Sequence, residues 1–233
     1  MDINEFSDRF DIVLNSYSGG EIYGDTRMIR SLEVNEYEKS LFLTQAQDQI
    51  VQNIYKGFET TEEVRQYLHN LITNYRFNQP VNSSDGISVD SKFYKIPEDA
   101  MFILNASIED GSKIISILPI THDEYYLQIR NPYRQYNETS AWRLDYKYIE
   151  ENKVIEVITK ANIDFFNIRY LKRPNPIILT SLGDFSIRGI SEKTECELNQ
   201  DLHDEILNMA VQLAIQSKSI GMPKENNKQT SNQ

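Results

Sequence analysis

The chain has 233 residues, 39% hydrophobic and 11% aromatic, and 24 basic against 35 acidic side chains give a formal net charge of −11. That length allows a sizeable core in one large or two small domains, while the acidic balance excludes an ordinary duplex-binding face, whose affinity comes largely from phosphate neutralisation. No run approaches about 18 apolar residues; the opening Met1-Asp-Ile-Asn-Glu lacks the basic region of a signal peptide and implies cytoplasmic synthesis; and a single cysteine, Cys196, leaves no internal disulfide.

In chain order, Ile3, Phe6, Phe10, Val13, Leu14 and Tyr17 recur at spacings of three and four and predict a helix over 3–16, ended by Gly19-Gly20. A longer helix is predicted from about Val34 to Tyr55. Tyr37, Leu41, Ala46, Ile50, Val51 and Ile54 form its buried stripe, Phe42 and Leu43 widen it, and Gly57 closes it. Thr61-Glu62-Glu63 opens a third helix, carrying Val64, Leu68, Leu71, Ile72 and Tyr75, with acids suited to the helix dipole in its first turn.

Residues 79–86, Gln-Pro-Val-Asn-Ser-Ser-Asp-Gly, read as a turn-rich loop, after which strands dominate: Lys92–Ile96, Ala100–Ser107, Ile114–Pro119, Trp142–Ile149, Val154–Lys160 and Phe166–Lys172. In Val154, Glu156 and Ile158 the alternation is imperfect, so facing is ambiguous there. A short helix near 121–130, opened by Thr121 with Glu124 as a capping box, interrupts the strands, and 134–140 is a loop. Pro174 and Pro176 stop the ladder after Tyr170, and Ile177-Ile178-Leu179 is expected to re-enter a sheet beyond this structural corner. Asn199 or Asp201 caps a last helix with Leu202, Ile206, Met209, Ala210, Leu213 and Ala214 as its stripe, ended near Gly221 and Pro223.

Helices and strands that are segregated rather than alternating give an α+β fold. A helical bundle module, residues 1–78 completed by 199–221, packs with an antiparallel β-rich sandwich or barrel-like module at 79–198, and 222–233 is a flexible tail. Residues 1–75 carry 13 acids against 6 bases, 76–189 carry 15 against 14, and 190–233 carry 7 against 4, so the negative charge rides on the helices. Arg169, Lys172 and Arg173 read as a solvated strand end rather than a phosphate site.

Candidate catalysis is thin. His69, His122 and His203 are isolated in sequence, with no zinc spacing. Glu195, Glu197, Asp201 and Asp204 with His203 form the densest polar cluster, yet capping and dipole compensation account for acids in a first turn. His122 and Asp123 are adjacent, and adjacent side chains diverge on a helix. No phosphate loop or serine elbow occurs. The expectation is a non-enzyme with no metal and no cofactor; carboxylates converging from distant segments would make an enzyme instead.

The segments Asn35–Gln47 with Ile50, Val51 and Tyr55, Leu118-Pro-Ile-Thr-His-Asp-Glu-Tyr125, Asn131-Pro132, Tyr170–Leu179, and Cys196–Asn199 with Leu202, His203 and Ile206 resemble the structural proteins of crAss-like phages, short-tailed viruses of Bacteroidales. Over about residues 33–215 the chain is similar to their head-tail ring or adaptor (neck) proteins. The resemblance implies a virion protein at the neck between capsid and tail. It would form a homo-oligomeric ring of twelve copies beneath the portal protein, with further tail or ring proteins below. DNA would pass through its channel without sequence-specific binding, and no membrane is involved. A lower neck ring, a capsid auxiliary protein and a fibre-attachment protein are the alternatives. Phe42, Tyr37 and Tyr55 on the long helix are the candidate interface residues, because aromatic side chains serve a core or an interface equally well.

Overall fold

Helix α1, Ile3–Tyr17, buries Phe6, Phe10 and Leu14, spaced by four, whereas Tyr17 is exposed. The computed structural model describes residues 1–17, 21–23, 26–28, 33–57, 66–144, 147–149 and 152–220, with backbone alone at 21–23, 26–28, 147–149, 152, 219 and 220. The expected stop at Gly19-Gly20, the start of the third helix at Thr61 and the tail from 222 onward lie outside the described residues. Two short strands, β1 (Glu21–Tyr23) and β2 (Thr26–Met28), pair antiparallel.

Helix α2 spans Glu36–Lys56 and starts on a capping box: Glu38 N–H donates to Asn35 Oδ1 at 2.8 Å and Asn35 N–H donates to Glu38 Oε2 at 3.1 Å. Gly57 closes it, its N–H reaching the carbonyls of Ile54 and Tyr55. The last helix (α4, His203–Ile220) packs chiefly on α2 and also on α1. Its buried face is Ile206, Leu207, Ala210, Val211 and Ala214.

The second half of the expected third helix is not helical. His69–Leu71 is a single 3-10 turn, and Ile72–Phe77 is strand β3. Its branched and aromatic residues suit a pleated surface, and pairing with a neighbouring strand overrides the coincidental helical spacing of Leu71, Ile72 and Tyr75.

The remaining strands are β4 (Ser91–Lys95), β5 (Ala100–Asp110), β6 (Lys113–Ile120), β7 (Ala141–Leu144), β8 (Lys147–Ile149), β9 (Asn152–Ile158) and β10 (Phe165–Lys172). They form a curled half-barrel sheet in the order β3-β10-β5-β6-β7-β9-β4, with β8 also paired to β9. The fold is α+β as expected. The sheet is mixed, because β6 and β7 run parallel across the crossover that holds the short helix α3 (Tyr125–Gln128). The Thr121 and Glu124 pair closes the turn ahead of α3 reciprocally: Thr121 N–H donates to Glu124 Oε2 at 3.1 Å and Glu124 N–H donates to Thr121 Oγ1 at 3.3 Å.

The ambiguous facing of β9 has a physical cause. Every residue from Val154 to Ile158 is buried, including Glu156 at 2% exposure. The Glu156 carboxylate accepts from Ile87 N–H and Ser91 Oγ, which ties the 79–91 loop to the sheet. In that loop a Cβ at Gly86 would sit 2.6 Å from Ser91 Cβ, so only glycine fits. Phe77, Tyr94, Ile108, Ile155 and Phe166 belong to the larger core of this sheet, and Trp142, Tyr125 and Ile158 to a second.

The chain divides into two compact units, Met1–Asn70 with Pro174–Gln233, and Leu71–Arg173. The divisions differ from those expected at 78/79 and 198/199: β3 pairs with β10 in the sheet, and residues 174–198 belong with the helices.

Candidate protomer interface

The expected re-entry of Ile177–Leu179 into a sheet does not occur. β10 ends at Lys172, and an extended segment runs antiparallel along α2, with only an isolated bridge between Ile178 and Thr194. An extended chain cannot make a backbone ladder with a helix, whose own groups are already paired, so α2 supplies side chains in place of a ladder. Gln47 Nε2 donates to Asn175 O at 2.8 Å, Ile177 N–H donates to Thr44 Oγ1 at 3.1 Å, and Leu179 N–H donates to Ser40 Oγ at 3.0 Å. Ser40 Oγ–H in turn donates to Glu36 O at 2.7 Å. The repeats match: two extended residues advance about 6.6 Å and one helical turn about 5.4 Å. Ser40, Thr44 and Gln47 are consequently buried, at 0%, 3% and 0% exposure.

These three polar residues turn α2. Its buried face is Lys39, Ser40, Leu43, Thr44, Ala46, Gln47, Ile50 and Val51. Leu41, expected in the stripe, is 43% exposed. Phe42, Tyr37 and Tyr55 are half-buried. Lys39 is buried because its ammonium donates to Asp11 Oδ2 at 2.7 Å, Glu36 Oε1 at 2.8 Å and Ser7 Oγ at 3.1 Å. Burial pulls its pKa down, but the hydrogen bonds and charges of Asp11 and Glu36 outweigh burial and leave it raised.

Beyond Leu179 the chain folds over α2. Ile178, Leu182 and Ile187 form a small core against Tyr37 and Ile190, and the Tyr37 and Phe185 rings lie 5.4 Å apart. The segment reverses at Ile187–Ile190, where Arg188 (φ 56°) and Gly189 (φ 78°) are both left-handed. A left-handed arginine costs about 1–2 kcal/mol. It is held there by two contacts: Nη2 pairs with Asp48 Oδ2, and Nη1 donates to Pro174 O at 3.3 Å. Between the turn and α2 lies a groove of about 400 Å3 lined by Tyr37, Leu41, Gln45, Asp48, Ile187 and Arg188. Asp48 Oδ1 is buried and has no hydrogen-bond partner.

The polar residues singled out for catalysis hold the helical unit together. Glu197 accepts from Asn175 Nδ2 at 2.8 Å, and Asp204 pairs with Arg9 at 2.6 Å. His203 is buried beside Phe6, its Nε2 3.2 Å from Leu198 O and its Nδ1 2.7 Å from the Met1 amine. Asn199 caps a 3-10 turn, Gln200–Leu202, that leads into α4, its Oδ1 accepting from Asp201 N–H at 3.3 Å; Asp201 itself is exposed within that turn. Cys196 Sγ–H donates to Gln47 Oε1 at 3.2 Å, and burial pushes the thiol up to about 11, so it stays protonated at neutral pH. Pro174 and Pro176 are buried, while Glu195, His122, Asp123 and Arg169 are exposed. No three His, Cys, Asp or Glu groups among the described residues converge as metal ligands, and no described helix is long and apolar enough to cross a membrane.

Polar side chains that hold the chain together, beside exposed apolar side chains at Leu41 and Phe185, suit a structural role. Comparison with known proteins agrees. The family described as phage tail ring protein 3/4 matches residues 1–226. The chain is 39% identical over 237 residues to "Ring protein 3" of Bacteroides phage crAss001, covering 94% of this chain and 97% of that one. It is 33% identical over 232 residues to "Ring protein 4/5" of the same phage, covering 92% of each. The chain therefore belongs to the phage tail ring protein 3/4 family and is a structural ring protein of a crAss-like phage virion.

Proposed function

We propose that copies of this chain close into a ring, twelve to a virion, in the neck that joins capsid to tail, and that the ring encloses the channel through which DNA leaves. The observation that carries this reading is end-to-end similarity to two ring proteins of one phage. The net charge of −11 supports it, since an acidic channel wall does not trap the duplex. In this reading the helical unit contacts the adjoining ring or portal, and the β unit contributes to the ring and to the docking of further neck or tail proteins. Tyr37, Phe42 and Tyr55 of α2 serve the contact between protomers, and Pro174 and Pro176 fix the corner where the chain passes from sheet to helical unit.

The tier is the finer question. A ring directly beneath the portal is one position; a lower ring is the other. One phage carries both a ring protein 3 and a ring protein 4/5 related to this chain. Two different rings cannot both occupy the tier against the portal, so a relative of this chain occupies a lower tier and both positions are open to this fold. Electron microscopy of the virion neck with this chain localised tests both statements. Density for twelve copies in a tier separated from the portal by another protein supports the lower ring, direct portal contact supports the upper one, and copies on the capsid shell or fibres reject the neck altogether.

A further inference from the structure

We propose that the β1–β2 hairpin of one copy adds to the open β3 edge of the next copy's sheet. The proposal rests on the ring reading and gives neighbouring copies a main-chain contact beside the one assigned to α2. The two ends of the eight-stranded sheet differ. At one end β4 is covered: Val81 N–H donates to Phe93 O at 2.6 Å and bridges the 79–91 loop to that strand. At the other end β3 has β10 as its sole strand neighbour among the described residues. Natural edges are blunted by a proline, a bulge, a covering loop, a guarding charge or extreme shortness. Ile72–Phe77 is six residues long, contains no proline and keeps an unbroken register with β10. Its one charge is folded back onto the sheet, with Arg76 paired to Glu109 and its guanidinium 3.6 Å from the centre of the Phe165 ring. Asn74, Tyr75 and Arg76 are exposed. The outward N–H and C=O groups of β3 are therefore a template for one more strand.

The chain's other sheet supplies the occupant. β1 and β2 pair with each other over three residues apiece, from Glu21↔Met28 to Tyr23↔Thr26, and join no further strand among the described residues. A two-stranded ribbon is marginal in water, and a third strand is what stabilises it. The hairpin and the β3 edge thus each lack the neighbour that the other provides. Ile22, Tyr23 and Thr26 are strand formers. Charge does not oppose the contact: residues 21–28 carry Glu21 and Asp25 against Arg27, a charge of −1, and β3 carries +1 at Arg76. The joined segments are neutral together, in a chain of −11 whose other surfaces repel. The hairpin belongs to the helical unit and β3 opens the β unit, so the two contact surfaces are different. A contact of that heterologous kind leaves a free hairpin at one end of any row of copies and a free edge at the other until the row closes into a ring.

The test mixes full-length Arg27→Cys with full-length Asn74→Cys and adds a short bis-maleimide crosslinker. Cys196, whose thiol stays protonated at neutral pH, reacts slowly, and each variant alone is the control for it. The expected result is a covalent dimer from the mixture and none from either variant alone. Hydrogen exchange on wild-type rings against dilute protomer should add protection at residues 21–28 and 72–77. Replacing residues 21–28 with a Gly/Ser segment of equal length should weaken association at least tenfold by sedimentation, with helix content checked by far-ultraviolet circular dichroism. Rings that form with no added protection at residues 72–77, or that form unchanged without the hairpin, overturn the proposal and leave the ring reading intact. A chain carrying both cysteines that crosslinks internally at high dilution, while the mixture gives no dimer, shows the hairpin paired with its own β3 and overturns the second copy as occupant. A wild-type chain that stays monomeric at every concentration reached overturns the ring reading and this proposal with it.

Discussion

Ser40, Thr44 and Gln47 show how a polar side chain on a helix decides the course of a distant segment. Ser40 and Thr44 close the buried N–H groups of Leu179 and Ile177 that would otherwise be unpaired, and Gln47 holds the Asn175 carbonyl. Thr44→Val keeps the shape and removes the acceptor for Ile177 N–H. The expected loss is about 1–3 kcal/mol, read from urea unfolding; a loss under about 0.5 kcal/mol would show that this rung is dispensable. His203 gives a pH prediction. Burial lowers its pKa, opposed by the Leu198 carbonyl, deepened by the N-terminal amine and opposed again by Asp204 and Glu5. The folded chain therefore binds fewer protons than the unfolded chain below the ordinary imidazole value of about 6.5, so stability rises with pH across that window. It is fully present above about 6.5 and lost as pH falls through the lowered folded value. Urea midpoints should drop more for the wild type than for His203→Gln between about pH 7.5 and about pH 5. Equal drops would remove His203 from the acid sensitivity.

At the scale of elements, α2 and the segment after β10 explain what the sequence could and could not disclose. Five of the six strands expected between Lys92 and Lys172 are present, because their branched and aromatic runs are bounded by turn residues, whereas the expected Trp142–Ile149 strand is divided into β7 and β8. Gly57 was also legible as the residue that closes α2. Leu41 was not. A stripe drawn through apolar residues alone ignores Ser40, Thr44 and Gln47, and only the tertiary path of residues 175–179 makes those positions interior. Strand β3 was missed for a related reason: six residues long, it fits helical spacing by chance until β10 claims it. The groove drew on residues 37–48 and 186–188, about 140 positions apart, and only Tyr37 among the candidate interface residues lines it. Pro176 extends the argument to mutation. Pro176→Ala should cost about 0.4–1 kcal/mol if its ring acts by restricting the unfolded chain. A loss above about 2 kcal/mol in chemical unfolding would instead mean that the buried ring contributes packing at the corner.

For the molecule as a whole, the sharpest constraint on a ring is its own charge. Each copy brings −11, so neighbouring copies in a ring gather like charge at close quarters, and assembly must overcome that repulsion with short-range contacts. Those two energies respond differently to salt. Repulsion between exposed helical surfaces acts over about 30 Å at 0.01 M salt and only about 8 Å at 0.15 M, whereas apolar contacts between copies are screened far less. Raising salt from about 0.01 M to about 0.15 M should thus strengthen association several-fold, with the ring fraction read by sedimentation at fixed protein concentration. Loss of rings over that same range would mean that exposed ion pairs across the interface, rather than apolar contacts, hold neighbouring copies together. Phe42→Glu separates the faces of α2 under the same conditions: Phe42 lies about 100° round the helix from Leu41. If Phe42 belongs to the contact between protomers, its substitution should leave a folded protomer that fails to form rings at either salt concentration, because a carboxylate would be buried against an apolar neighbour.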